Sequence, residues 1–424
     1  MMFSVKGSAI HGDVKIPGSK SHTIRALAFA LLAEGESVVE FPLYSSDTES
    51  CMGMVRRLGG SIAEEKDAWR VTGAGNRLPV PDDVIDVGNS GTSLYIGLGI
   101  ASLIDGMTIF TGDHQIRNRP ADALLSSIND LGGKARSTRG NGKPPLVIEG
   151  RIKGGRTAVE AVTSQYLSSL LIAAPLAEGE TIIDVPLLNE QPYVTMTLAW
   201  LDRLGIKYVN SNYRQFTVPG GQVYRPFKAA VAADFSSATF FLVAAAICGA
   251  ELNLLGLDFN DTQGDREVVN ILRKMGAEVK IGERNIRIRG RELTGGVFDL
   301  NAIPDALPAL AVAGCFAAGE TRLVNVAQAR LKETDRIRVM YEELRKLGAG
   351  VEELPDGLVV RRSELKGARV NGHHDHRVVM ALSVAGLAAE GEMIVETAEA
   401  VAVTFPGFMG LMKNIGADIQ EIKE

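Results

Sequence analysis

AFALLAEGESVVEF, residues 28–41, joins an apolar run to a small residue, Gly35, an acidic residue and a β-branched strand. The same pattern returns as IGLGIASLIDGMTIF (96–110), LLIAAPLAEGETIID (170–184), FLVAAAICGAELNLL (241–255), ALAVAGCFAAGETRLV (309–324) and ALSVAGLAAEGEMIVE (381–396). Its glycines, Gly35, Gly106, Gly179, Gly249, Gly319 and Gly391, lie 70 to 73 residues apart, so six repeats fill the chain. Each repeat continues 24 to 29 residues later with a second helix that ends on its own glycine: VRRLGGSI (55–62), INDLGGKA (128–135), LDRLGIKY (201–208), LRKMGAEV (272–279), LRKLGAGV (344–351) and MKNIGADI (412–419). The first helix of a repeat is apolar all round and is predicted to be buried, whereas the second keeps one apolar stripe and is predicted at the surface. Strands between them make an α/β unit used six times.

Six units are too many for one core, so two similar domains of three βαβαββ-type units are expected. Residues 18–230 form the first in this reading; residues 1–17 with 231–424 form the second. Pro226 and the small residues Ala229, Ala230, Ala232 and Ala233 mark the junction, and the stretch GSAIHGDVKIPGSK (7–20) reads as a strand returned to the last unit. The chain has 424 residues, 45 Lys plus Arg against 51 Asp plus Glu, and 46% hydrophobic residues, which exclude disordered and collagen-like classes. A net charge of −6 has the wrong sign for a surface that tracks nucleic acid. Cys51, Cys248 and Cys315 are scattered and free of CxxC spacing, so neither disulfide framework nor zinc site is indicated and a cytoplasmic location is expected. No signal peptide, membrane span or membrane partner is expected.

Counting back from the repeat glycines reaches a polar cluster at each buried helix start: Ser19-Lys20-Ser21, Asn89-Ser90-Gly91-Thr92, Thr163-Ser164-Gln165, Asp234-Phe235-Ser236-Ser237, Pro304-Asp305 and Asp375-His376-Arg377. Any one of these is an ordinary N-cap. Six of them, on helices running parallel, put free N–H groups and positive dipole ends on one face of each domain, and two opposed faces make an anion-binding cleft. Lys20, Arg25 and Arg377 add charge there, as do Arg117 and Arg119 in GDHQIRNRP (112–120), and Arg330, Lys332, Arg336 and Arg338 in ARLKETDRIR (329–338). The pattern points to a small polyanionic ligand.

The motifs PGSKSHTIRAL (17–27), GNSGTS (88–93), RNRP (117–120), TSQYLSSLL (163–171), QPYVTMTL (191–198), DFSSATFFL (234–242), IPDA (303–306), LKETDRI (331–337), DHR (375–377) and TFP (404–406) occur in order along the chain. In these the chain resembles the EPSP synthase (3-phosphoshikimate 1-carboxyvinyltransferase) family of enolpyruvyl transferases over nearly its full length. The resemblance implies an inside-out α/β barrel fold in two domains, with the substrate cleft between them closing on its ligands. It implies transfer of the enolpyruvyl group of phosphoenolpyruvate to the 5-hydroxyl of shikimate 3-phosphate, in the shikimate pathway of aromatic amino acid biosynthesis, without metal or organic cofactor. Lys20 and Glu333 would handle protons at the enolpyruvyl group, and Asp305 would accept the hydroxyl proton. Phosphoenolpyruvate would meet Lys20, Gly91, Arg119, Gln165, Arg336 and Arg377. Shikimate 3-phosphate would meet Lys20, Ser21, Arg25, Thr163, Ser164, Gln165, Tyr193, Asp305, Gln328 and Lys332. A monomer is expected.

Without the resemblance, Glu333 reads as the partner of Lys332 or Arg336 on a solvated helix and Asp305 as an N-cap, while the contiguous His373-His374-Asp375-His376 lacks metal-ligand spacing. The chain also departs from the family pattern. Val403 stands where many members carry Lys, Tyr95 where an Arg is frequent, and Gln328 in place of Asn; loss of the cation at Val403 predicts weaker binding of phosphoenolpyruvate and of glyphosate, the family's competitive inhibitor. Glu190 takes the place of a Ser that contacts the acceptor phosphate, and like charges about 4 Å apart at an effective dielectric near 20 repel by roughly 4 kcal/mol. Either Glu190 turns away, which the cations Arg25 and Lys332 favour, or the chain is a sister enolpyruvyl transferase with another acceptor. Other readings are weaker: the cell-wall enolpyruvyl transferase relies on a Cys in the loop matching residues 112–119, and none is there; GSKS lacks the Gly before Lys of a P-loop; a ring clamp on DNA needs basic, not apolar, inner helices.

Overall fold

The computed structural model describes residues 1–423. The chain divides into two compact units, a C-terminal one of Met1–Pro17 with Ala232–Glu424 and an N-terminal one of Gly18–Val231. Each has a hydrophobic core of its own, assembled only from residues of that unit.

The six apolar runs fold as the helices α1 (Lys20–Leu32), α2 (Gly91–Ala101), α3 (Ser164–Ala173), α4 (Phe235–Ile247), α5 (Leu307–Phe316) and α6 (His376–Gly386). All residues of α2 and α6 are buried, as their long apolar runs require, with the polar residues gathered mainly in the first turn. Within the N-terminal unit Tyr95 of α2 meets Tyr166 of α3 edge-to-face, with ring centroids 5.0 Å apart, and Arg25 of α1 reaches Ser168 of α3. Positions near the start of one helix thus touch positions near the start of the next, so these helices run parallel. The second helix of each repeat, such as Ser46–Arg57 or Arg336–Lys346, lies on the outside and buries one face. Its closing glycines, Gly59, Gly132, Gly205, Gly276, Gly348 and Gly416, all have φ between +71° and +113°. The residue after each donates back into the helix, for example Gly60 N to Val55 O and Ala349 N to Leu344 O, the Schellman arrangement that a Cβ would oppose.

Each unit carries three four-stranded mixed sheets around its buried helices, which makes each an inside-out α/β barrel. In a typical repeat the strand before the buried helix pairs in parallel with the strand after it, and a hairpin completes the sheet, as with Ile85–Asp86 beside Met107–Thr111 and Leu146–Glu149. The fourth and first repeats exchange this leading strand. His11–Lys15, which precedes α1, pairs with Glu251–Leu255 after α4, and Lys228–Ala230, which precedes α4, pairs with Glu34–Glu40 after α1. This corrects the reading of residues 7–20 as a strand of the last unit: the strand there belongs to the fourth repeat, and it is Met2–Lys6 that enters the sixth sheet, between Glu392–Glu396 and Asp418–Ile422. The buried face Met2, Phe3, Ser4, Val5 suits a central strand, whereas in His11–Lys15 only Val14 is buried, as befits an edge. No helix among the described residues is long and apolar enough to cross a membrane.

Candidate active site

In the C-terminal unit the starts of all three buried helices are tied together by charge. Arg377, second residue of α6, donates to Ser236 Oγ at the start of α4 (2.6 Å) and pairs with Asp305 Oδ2 just before α5 (3.0 Å). Asp305 lies in the 3-10 turn Pro304–Ala306 and does not cap the helix with its side chain; its other oxygen takes Arg336 Nη1 at 2.7 Å, with Lys332 Nζ at 4.0 Å. Arg336 is itself enclosed, 1% exposed, and its guanidinium spans Asp305, Glu333 Oε2 (2.5 Å) and both oxygens of Asp375 (2.8 and 3.2 Å). Asp375 also caps α6 by accepting from the Arg377 amide, and Thr334 Oγ1 donates to it.

Three cations and three carboxylates therefore balance inside one cluster, with Arg336, Asp375 and Arg377 buried and Asp305, Lys332 and Glu333 partly exposed. Burial by itself would raise the Asp305 carboxyl, but Arg377, Lys332 and Arg336 outweigh it and hold Asp305 well below the usual carboxylate range. The converse holds for Arg336, where burial favours the neutral form and Asp375, Glu333 and Asp305 reverse it, so its charge is locked in. Among the described residues no carboxylate is bonded to His376, and burial pulls it down to about 3, so it is neutral at pH 7. Glu333 lies in the loop ahead of the helix Arg336–Lys346 rather than on it. Gln328 is buried and donates to Asn301 O at 2.9 Å. Of the four cations in residues 329–338, Lys332 and Arg336 face this cluster, while Arg330 and Arg338 turn to Asp335, Glu342 and Glu353 in a more open ion-pair network.

The helix starts of the N-terminal unit are built differently. Lys20, first residue of α1, donates to Asp47 Oδ2 at 3.0 Å, and Asp47 is buried. Arg25 is 1% exposed and is held by neutral acceptors only among its hydrogen bonds: Thr197 Oγ1 (2.9 Å), Ser168 Oγ (3.4 Å), Ser21 O (3.1 Å) and Tyr193 O (3.0 Å). Burial consequently lowers it to about 10, and its visible task is to fix the backbone of Ser21 and Tyr193. Gly91 opens α2 with the Arg119 guanidinium lying across it, where a Cβ would collide with Arg119 Nη1. The loop bearing Arg119 is pinned at Pro120, whose carbonyl accepts from both Tyr95 Oη (2.8 Å) and Tyr166 Oη (2.6 Å). Thus Tyr95 serves as a loop anchor.

Thr163 caps α3, accepting from the Gln165 amide, and the Gln165 Oε1 atom is buried with no hydrogen bond. Glu190 does not turn away. Its Oε2 accepts from Thr163 Oγ1 (3.1 Å), Ser164 N (3.2 Å) and Ser164 Oγ (2.9 Å), and the residue is 2% exposed. In the sequence Asp47 is hidden in SSDTES by the capping box of Ser45 and Thr48, and Thr197 and Ser168 look like ordinary helix residues. Asp375 and Ser236 were visible only as caps. Among the described residues no three His, Cys, Asp or Glu are grouped to hold a metal ion; His373 instead meets Glu343. Val403 is half-buried at the end of the 3-10 helix Ala398–Val403.

These features can be set beside known proteins. A family model described as EPSP synthase (3-phosphoshikimate 1-carboxyvinyltransferase) matches residues 5–412. A 3-phosphoshikimate 1-carboxyvinyltransferase of Acetivibrio thermocellus is 57% identical over 99% of both chains, and one of Ruminiclostridium cellulolyticum is 55% identical over 100% of both. The solved EPSP synthase of Acinetobacter baumannii superposes with a TM-score of 0.83 at 29% identity, covering 99% of this chain and 100% of that one. Six repeats in two inside-out barrels, charged residues gathered at the helix starts and a match along almost the whole length agree, and the chain belongs to the EPSP synthase (3-phosphoshikimate 1-carboxyvinyltransferase) family.

Proposed function

We propose that the chain transfers the enolpyruvyl group of phosphoenolpyruvate to the 5-hydroxyl of shikimate 3-phosphate, releasing phosphate. The hydroxyl loses its proton to Asp305 while its oxygen bonds to the central carbon of phosphoenolpyruvate, and a proton is added to the methylene carbon from Lys20 or Glu333. The C–O bond to phosphate then breaks as the leaving phosphate takes up the proton that Asp305 accepted, and the methyl carbon gives a proton back to Lys20 or Glu333, so atoms and charge balance with proton transfers alone. Arg119, Arg336 and Arg377, together with Lys20, Gly91 and Gln165, serve the donor's carboxylate and phosphate, where the planar guanidinium fork suits such oxyanions. Ser21, Thr163, Ser164, Gln165, Tyr193, Gln328 and Lys332 serve the acceptor, with Arg25 acting through the backbone it holds.

The observation that carries this reading is the Asp305–Arg336–Glu333–Arg377 cluster at three helix starts. A carboxylate held so strongly in its ionised form is a weak base. An incoming anion that draws Arg377 and Arg336 toward itself withdraws their hold on Asp305 and raises its basicity, so that binding of the donor would switch on the base. Positioned proton transfer of this kind contributes roughly 10² to 10⁴-fold. The test is phosphate release from phosphoenolpyruvate with shikimate 3-phosphate, against each alone; release with both and with neither singly is expected. Glu190 on the start of α3 favours one competing reading, a sister transferase with another acceptor, and calorimetry showing no binding of shikimate 3-phosphate would select it.

A further inference from the structure

The start of α3 is an oxyanion seat by its chemistry. The Ser164 amide, the Ser164 hydroxyl and the Thr163 hydroxyl converge on one point at the positive end of a ten-residue helix. That point is filled from within, because a single oxygen of Glu190 accepts all three donors. The chain holds the side chain there deliberately: Glu190 is the N-cap of the helix Gln191–Arg203 with φ +56°, the left-handed region that a residue with a Cβ seldom enters, and Tyr193 N donates to its carbonyl at 3.0 Å. Tyr193 is in turn tied through its own carbonyl to the buried Arg25.

We propose that Glu190 is a specificity-determining residue, a resident anion whose carboxylate must leave Thr163 and Ser164 before the acceptor's phosphate can take them. The proposal rests on the reading above, in which these residues receive the acceptor. It follows that acceptor binding is an exchange of one anion for another, and that the affinity for shikimate 3-phosphate is set by how readily Glu190 gives way.

Two variants separate charge from shape: Glu190→Gln keeps the outline and removes the charge, and Glu190→Ser removes both. Both should lower the KM for shikimate 3-phosphate by about tenfold or more, tighten binding of inorganic phosphate in calorimetry, and leave the KM for phosphoenolpyruvate within about twofold. An unchanged or raised KM for shikimate 3-phosphate in both variants overturns the proposal, and so does a fall confined to Glu190→Ser. Should the variants not fold, crystals of the wild-type chain with saturating shikimate 3-phosphate decide it: phosphate on Thr163 and Ser164 with the Glu190 carboxylate displaced supports the exchange, and Glu190 still bonded to them overturns it. The activity is tested apart from this. Wild-type turnover without tightening in the variants removes only the resident anion; tighter inorganic phosphate in both variants, with no wild-type turnover, removes only the assigned reaction.

Discussion

Arg25 and Arg336 are each 1% exposed and each sits where buried helices begin, yet the two are held in opposite ways. Around Arg336 the protein places Asp305, Glu333 and Asp375; around Arg25 it places two hydroxyls and two carbonyls. Burial costs both charges their hydration, and only Arg336 recovers it from opposite charge, so its pKa rises whereas that of Arg25 falls to about 10. A guanidinium ringed by carboxylates can be exchanged onto an incoming anion. One bonded to neutral groups organises the chain around it. Two residues of the same type and burial thus sit in different surroundings, one within a charge cluster and the other as a brace bonded to neutral groups.

The sharpest way to break this contrast is to remove a member of the cluster to which the proposed reaction assigns proton transfer. Asp305→Asn and Glu333→Gln should each reduce kcat by roughly 10² to 10⁴-fold in steady-state phosphate release, with the protein still folded. If either keeps more than about a tenth of wild-type kcat, the cluster is structural only.

Next come the arginines themselves. Arg336→Leu leaves buried carboxylates without their cation and should cost about 3–5 kcal/mol of unfolding free energy in denaturant titration. Arg25→Leu strands only neutral groups and should cost about 1–3 kcal/mol. Equal losses would erase the distinction between brace and charge cluster.

A third prediction uses pH. His376 sits in the folded protein at about 3, below its ordinary value near 6.5, with Glu333, Asp375, Arg377 and Arg336 the charges around it. The unfolded chain binds the proton first, so the contribution of His376 is fully present above about pH 6.5 and declines as pH falls toward 3, by roughly 1.4 kcal/mol per unit. Asp305, also depressed, adds a loss that begins only as pH falls through the ordinary carboxylate range near 4. Between pH 6 and 5, therefore, His376→Leu should flatten the stability curve while Asp305→Asn should not.

The smallest effect lies in the N-terminal unit. Tyr95→Phe removes one of two donors to the Pro120 carbonyl and should cost about 1 kcal/mol, seen as a several-fold higher KM for phosphoenolpyruvate through a looser Arg119 loop. The KM for shikimate 3-phosphate should stay put; a rise in both would mean general softening of the unit.

What can be read from residues alone here is whatever repeats or is local. The six glycine-ended patterns, the buried and the outer helices and the polar helix starts are all visible in sequence, because helical periodicity and capping depend on neighbours a few residues away. The motif pattern likewise carries the family. Only the folded chain decides which partners meet across long separations. It sends Lys332 and Arg336 inward but Arg330 and Arg338 outward, gives Lys20 to Asp47, moves His11–Lys15 into the fourth repeat's sheet, and lays Glu190 on α3 instead of away from it. The strand exchange and the reach of Arg336 to Asp375 turn on which of several similar repeats stands next in space, whereas the pairings of Lys20 and Glu190 turn on how the elements of one repeat pack together; near-identical local patterns in six copies record neither.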